Sequence, residues 1–463
     1  MTRKNPSRLI SRWKRSLSDP FDAARRRAAT ASGAVSLGLV AILFAMLGDE
    51  AQKHFTAMLR VQPYLPLVIT PLGFAVVAWL TNRVAPSARG SGIPQVIAAG
   101  KAPDIAYGRL LSLPTALLKL GFTVLILLVG GSVGREGPTV QVSAAIMILW
   151  HRVFRVPMTS GVLIAGGAAG VAAAFNTPLA GVAFAIEELA AAFEQRVALL
   201  VMGAVVVSGL VSLGIAGDYV YFGVMHETLS VGSVVLIAPV AGIIGGAVGG
   251  AFSRIMLAAS RGGFAWYDQF RTRPVLLAFV CGLVVAVIGI ATGGLTWGTG
   301  YETTRDLIEG TGDASGWFGP AKFAATLATA LSGVPGGIFA PSLAVGAGLG
   351  ELLSFAFPDD PMAAVVLLGM TGYFVGVVRA PLTAVIILME TTASRGMILP
   401  LFATALIADG VSKVVCREKL YHGLARGFLA PRKTAARTPG GEAVEPAAGP
   451  STAPPPLPDD DKT

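Results

Sequence analysis

Charge is what this chain has least of. Asp, Glu, Lys and Arg make up 14% of its 463 residues, where a soluble domain carries roughly a quarter. So little charge cannot coat a water-facing globule, which excludes an ordinary soluble fold. Cysteine is nearly absent: Cys281 and Cys416 stand far apart, which excludes a disulfide framework. The four histidines, His54, His151, His226 and His422, show no metal-ligand spacing. No Ser/His, Asp/Asp or His-metal constellation of an intramembrane protease is visible either. Neither a metal nor a cofactor is expected, and the chain does not read as an enzyme.

Apolar sequence is what remains. Hydrophobic residues make up 53% of the chain, with long runs at 35–48, 65–80, 199–214, 275–290 and 363–378. Several approach the ~20 residues that cross a bilayer core about 30 Å thick. The pattern predicts an all-α polytopic membrane protein. The net charge of +9 is uneven: nine Lys and Arg lie in the first thirty residues, and a second basic cluster runs from Arg417 to Arg437. By the positive-inside rule both termini are expected in the cytoplasm, so the number of full spans is even. Basic residues beside membrane segments need no nucleic-acid partner; their expected partner is lipid. No short apolar core with a small-residue cleavage site precedes Val35, so no removable signal peptide is expected. The segment 431–463, rich in Pro, Ala, Gly and acid, is expected to be a disordered cytoplasmic tail without a regulatory domain.

Self-similarity organises the interior. "GREGP" ends at Pro138 and "GGIFAP" at Pro341, and 341 − 138 = 203. Gly134 and Gly337, Pro178 and Pro381, Val182 and Val385, and Glu187 and Glu390 keep the same offset. Two separated motif pairs in one register predict a duplicated fold with Gly/Pro-broken helices in each half, a construction common in transporters. The expected division is a basic cytoplasmic segment at 1–30, membrane repeats at 31–222 and 223–430, and the tail.

The breaks carry the chemistry. Glu136 lies between apolar flanks at 120–132 and 139–150, each too short to cross the hydrocarbon alone. Non-helical backbone at that depth must be buried in protein or line a watery cavity. Gly134 and Gly137 permit close approach, and Pro138 suits the first turn of a new helix. Such a helix start aims free N–H groups and a positive dipole end at an anion. The same construction recurs at Gly336, Gly337, Ala340 and Pro341. A third break, "RGSGIPQ", offers the Ser91 hydroxyl between Gly90 and Gly92, with Ile93 and Pro94 opening a helix. The competing reading of Glu136 is a solvated loop acid paired with Arg135.

"GSGIP", "GREGP", "GGIFAP" and a late "KLYHGLA", in that order, resemble the CLC family of chloride channels and chloride/proton exchangers over roughly residues 30 to 430. The resemblance implies two inverted repeats with half-spanning helices, and a homodimer with one pore per subunit in the plasma (inner) membrane. It further implies a central chloride held by Ser91, Tyr421 and the backbone N–H groups of Ile338 and Phe339. Neutral donors suit conduction because they hold an anion without trapping it. Without the family, Tyr421 reads as an interfacial aromatic. Glu136 is then the gating carboxylate, and Glu188 the internal proton-transfer acid of an exchanger. Glu187 matches Glu390 across the repeat, whereas Glu188 matches Thr391, so the unmatched acid is the better functional candidate. A passive chloride channel on the same fold is the alternative. Gln95 stands where much of the family has an acid. Ser91 stands where nitrate-preferring members often have proline, and fluoride-exporting relatives lack the serine motif, so chloride is the expected anion.

Overall fold

The computed structural model describes residues 6–102, 108–190, 195–217, 219–312 and 315–429, and the expected tail at 431–463 lies outside them. The described residues form eighteen α-helices and no strand beyond one isolated bridge. In the first half these are α1 (Pro6–Val61), α2 (Pro66–Val84), α3 (Ile93–Lys101), α4 (Leu113–Leu128), α5 (Glu136–Val153), α6 (Ser160–Phe175), α7 (Pro178–Phe184) and α8 (Gln195–Ala216). The second half contains α9 (Val231–Arg261), α10 (Ala265–Arg271), α11 (Pro274–Ala291), α12 (Tyr301–Glu309) and α13 (Phe318–Ser332). It continues through α14 (Phe339–Ser354), α15 (Met362–Val378), α16 (Pro381–Thr392), α17 (Ile398–Val415) and α18 (Leu420–Leu429).

Punctuation sets the boundaries. Proline occupies the first or second position of α2, α3, α4, α7, α11 and α16, where its missing N–H costs nothing. Asn176 ends α6 and Arg379 ends α15 in the same left-handed conformation, at φ 56° and 60°. These two stops also keep the 203-residue register.

Among the described residues, six helices are long and apolar enough to cross a membrane: α1 from Phe21, α2, α8, α9, α11 and α17. Three belong to each half. The helices between them are shorter and almost wholly buried: α5 and α6 in one half, α14 and α15 in the other. The result is a polytopic membrane protein whose long helices surround a core of short ones. Across the halves α2 packs on α11 and α7 on α16; within them α5 packs on α6 and α14 on α15. Where α9 crosses α15, a Cβ on Gly249 would sit 2.6 Å from the Tyr373 carbonyl oxygen and 2.7 Å from the carbonyl carbon of Gly376. Glycine alone lets the two backbones meet, the small-residue packing common between membrane helices.

The two halves are inverted repeats about a two-fold axis. Gly134 N–H donates to Gly337 O at 2.8 Å and Gly337 N–H to Gly134 O at 2.7 Å, an antiparallel exchange between residues the register equates. Glu187 accepts from the backbone N–H of Leu382 (2.9 Å) and Thr383 (2.7 Å), which open α16. Glu390 accepts from the N–H of Leu179 (3.2 Å) and Ala180 (2.9 Å), which open α7. Each half caps a helix of the other.

Candidate functional site

Three glycine-rich breaks lead into helix starts, as the sequence predicts. Gly90 (φ 68°) and Gly92 (φ 112°) turn the chain into α3, Arg135 precedes α5, and Ile338 is the N-cap of α14. Close approach brings α5 and α14 end to end: a Cβ on Gly337 would lie 3.0 Å from both Gly137 N and Pro138 Cδ. The Gly336 N–H donates to Gly90 O at 3.1 Å, tying the serine loop to the same junction.

A fourth break escaped the sequence reading. Gly298 (φ 65°) and Gly300 (φ 79°) lead into α12, the counterpart of α3 at an offset of 298 − 90 = 208. Lys119 and Lys322 explain why both loops hold their shape. Each is fully buried. Lys119 Nζ donates to Ala88 O at 2.8 Å and to Gly90 O; Lys322 Nζ donates to Thr296 O at 2.9 Å and Gly298 O at 2.8 Å. A buried amino group donating to two carbonyls clamps each loop ahead of its half-helix. Their spacing of 322 − 119 = 203 was the available signal, masked by the five extra residues that shift the loops they clamp.

At the junction of α5 and α14, Glu136 is wholly buried and its Oε2 accepts from the Ala340 N–H at 3.3 Å, across the repeat. Its Oε1 has no hydrogen-bond partner. Ser91 Oγ lies against Gly137, where no Cβ would fit. α18 packs on α3, and this brings Tyr421, fully buried, beside Ser91 and within Coulombic reach of both Glu136 and Glu188. Neither hydroxyl has a hydrogen bond of good geometry. The phenol ring lies 5.9 Å from the ring of Phe339, which itself packs edge-on against Phe184 (5.8 Å) and Phe374 (5.1 Å). That aromatic cluster fixes the start of α14, where the N–H groups of Ile338 and Phe339 have no intrahelical acceptor. Ser91, Glu136, Ile338, Phe339 and Tyr421 thus converge, with Gly90, Gly92, Ile93, Pro94, Gly134, Gly137, Pro138, Gly336, Gly337, Ala340 and Pro341 shaping the backbone around them. Tyr421 is buried, not interfacial.

Arg135 does not pair with the neighbouring acid. Its guanidinium turns to α1, donating to Asp49 Oδ1 at 2.6 Å and Ala45 O at 2.7 Å. The solvated Arg135–Glu136 pair is therefore excluded. Arg135, Asp49, Ser212, Tyr219 and Tyr221 line a cavity of about 650 Å³. Asp49 was not singled out in the sequence, because 86 residues separate it from Arg135.

Glu188 forms a separate cluster. It sits in a π-helical turn, Ala185–Leu189, with its side chain fully buried. Lys419 Nζ lies 3.4 Å from Oε2, and His422 Nδ1 lies 3.2 Å from Oε1. Lys419 also donates to Glu187 O at 3.1 Å. Lys419 and His422 flank Tyr421 in "KLYHGLA", yet only the fold brings them to Glu188.

The chain matches known proteins along most of its length. A family model described as voltage gated chloride channel matches residues 73–413. A H(+)/Cl(-) exchange transporter ClcA from Yersinia pestis bv. Antiqua (strain Angola) is 30% identical over 440 residues, covering 87% of this chain and 88% of that protein. The ClcA exchange transporter of Vibrio vulnificus (strain YJ016) is 30% identical over 425 residues, 83% of this chain and 87% of its own. The fold resembles that of a slow cyanobacterial Cl-/H+ antiporter, with TM-score 0.77 and 24% identity over 88% of this chain and 98% of that one. A CLC-type fluoride/proton antiporter gives TM-score 0.72 and 22% identity over 86% and 97%. With its broken helices, its two inverted halves and these relatives, the chain belongs to the CLC family of voltage gated chloride channels and exchangers.

Proposed function

We propose that this protein exchanges chloride for protons across a membrane, with Glu136 as the gate that both ions share. One observation carries the reading. The Glu136 carboxylate occupies the anion-attracting end of two half-helices and accepts from the Ala340 N–H of the opposite repeat. A carboxylate there competes with chloride while it is charged. Once protonated it loses that attraction and swings aside, so proton uptake and chloride passage become linked.

Ser91, Tyr421 and the N–H groups of Ile338 and Phe339 hold the central chloride. Two neutral hydroxyls with no other good partner suit an anion that must also leave. Glu188, buried beyond Tyr421, passes protons along transient water between one face of the membrane and Glu136. That second acid separates exchange from passive conduction. The ClcA relatives, which are H(+)/Cl(-) exchange transporters, favour the same side.

The wider reading places the protein in the plasma (inner) membrane as a homodimer with one pore per subunit, lipid around it and both termini cytoplasmic. The repeats divide near 222, and the tail begins at 431.

The test is flux from purified protein in liposomes. Glu136→Gln should continue to move chloride and should lose chloride-driven proton movement. Glu188→Gln should do the same, with Glu187→Gln far milder. Proton pumping that persists in Glu136→Gln would overturn the gate. Chloride movement with no proton coupling in the unmodified protein would favour the channel reading.

A further inference from the structure

We propose that His422 is the water-facing relay through which protons reach Glu188. This rests on the role of Glu188 given above and adds the step before it. The Glu188 side chain has no exposure of its own, while those of His422 and Lys419 are 32% and 33% exposed. Bulk water therefore meets the cluster through these two groups. They differ in what they can do. Lys419 Nζ holds the carboxylate at 3.4 Å, whereas imidazole, with one ring nitrogen that donates and one that accepts, is the side chain suited to taking and giving a proton. His422 also presents Nδ1 to Glu188 Oε1 at 3.2 Å, which is proton-transfer distance.

The step balances within the cluster. Water delivers a proton to Nε2 of the ring, whose Nδ1 already carries one, and the ring becomes imidazolium. The N–H bond at Nδ1 then breaks as an O–H bond forms at Glu188 Oε1. The carboxylate becomes a neutral acid, and the ring is left neutral with its proton on Nε2. Exchange with water restores the first tautomer. Lys419 takes no part in the transfer and keeps Oε2 in place.

The other charges at this end are engaged elsewhere or exposed. Glu418 is held by Arg261 of α9 and by Arg426, and Asp409 by Arg379 at the end of α15 and by Lys413. Arg379 also donates to the carbonyls of Cys416 and Arg417. Lys101 closes α3 and Arg254 lies on α9, both exposed. Tyr421, on the same helix as His422, turns into the core toward Ser91.

Liposomes with the full chain test this, with proton and chloride movement recorded together. His422→Ala should lower the proton flux about tenfold or more, the scale on which a positioned acid–base group acts. Imidazole added to the buffer should restore it. His422→Gln, which preserves size and polarity, should show the same loss. Lys419→Met, which leaves the ring in place, should retain proton flux and gain nothing from added imidazole. Normal proton flux in both His422 variants, while Glu188→Gln is uncoupled, would overturn the relay and leave the role of Glu188 standing. Loss of flux that imidazole does not rescue would reduce His422 to packing and also overturn it. Full coupling in Glu188→Gln would instead overturn the reading beneath.

Discussion

Single side chains around the α5–α14 junction carry the binding predictions. Ser91 and Tyr421 are buried hydroxyls with no good partner of their own, so each is free to donate to an anion. A hydrogen bond to a charged group contributes about 1.5–3 kcal/mol. Ser91→Ala and Tyr421→Phe should therefore each weaken chloride binding by roughly tenfold to a hundredfold. Calorimetric titration of the purified protein measures this, and an unchanged isotherm in both would remove the two residues from the anion site. Ser91→Pro should shift the preference toward nitrate, read as relative flux of the two anions. Much of this chemistry was legible in the chain: a lone acid between two half-length apolar segments, and a serine between glycines. The partners of those groups were not. Asp49 reaches Arg135 and His422 reaches Glu188 only through the fold, across 86 and 234 residues, and periodicity holds no record of such distances.

Helices and loops carry a second set of expectations. Glu187 and Glu390 end each other's helices through two backbone N–H groups apiece. Glu390→Gln weakens one cap, at a cost of about 1 kcal/mol, and should lower the melting temperature by about 1–3 °C with coupling intact. Proton uncoupling in that variant would mean that the caps also shape the pore. Lys119 and Lys322 offer a matched pair. Replacing Lys322 with Met strands two carbonyls, whereas replacing Lys119 strands Ala88 O while Gly90 O keeps the Gly336 N–H; each stranded carbonyl costs about 1–3 kcal/mol, and both variants should melt earlier. Only Lys119→Met should also weaken chloride binding, because its loop carries Ser91 whereas the Lys322 loop leads to α12. Equal chloride affinity in the two variants would detach the clamp from the anion. The 203-residue offset exposed the duplication because five motif positions hold it. The loops at Gly90 and Gly298 slipped past it because they sit at 208, and a lone lysine in an apolar helix announces no role by itself.

At the scale of the whole molecule, the long helices and the short ones divide the work. Six helices meet the membrane over much of their surface: Leu199, Met202, Val206 and Leu210 along α8 are 52–76% exposed, and Leu399, Leu406 and Val414 along α17 are 62–85% exposed. Corresponding helices of the two repeats thus present apolar faces, which lipid or a second copy of the chain covers. If the proposed homodimer forms, light scattering in detergent should give twice the chain mass of 47.5 kDa, and a single chain mass would refute it.

The crossed caps also bear on how the protein is made. Ribosomes deliver the chain from its N-terminus, so the amides of Leu179 and Ala180 emerge long before the carboxylate that receives them. Some 210 residues separate Ala180 from Glu390, a delay of roughly 10 to 40 s at about 5–20 residues per second. Through that interval the first half waits in the bilayer with a helix end open. Neither half finishes alone: the opening turn of α7 in the first is capped only when α16 of the second arrives.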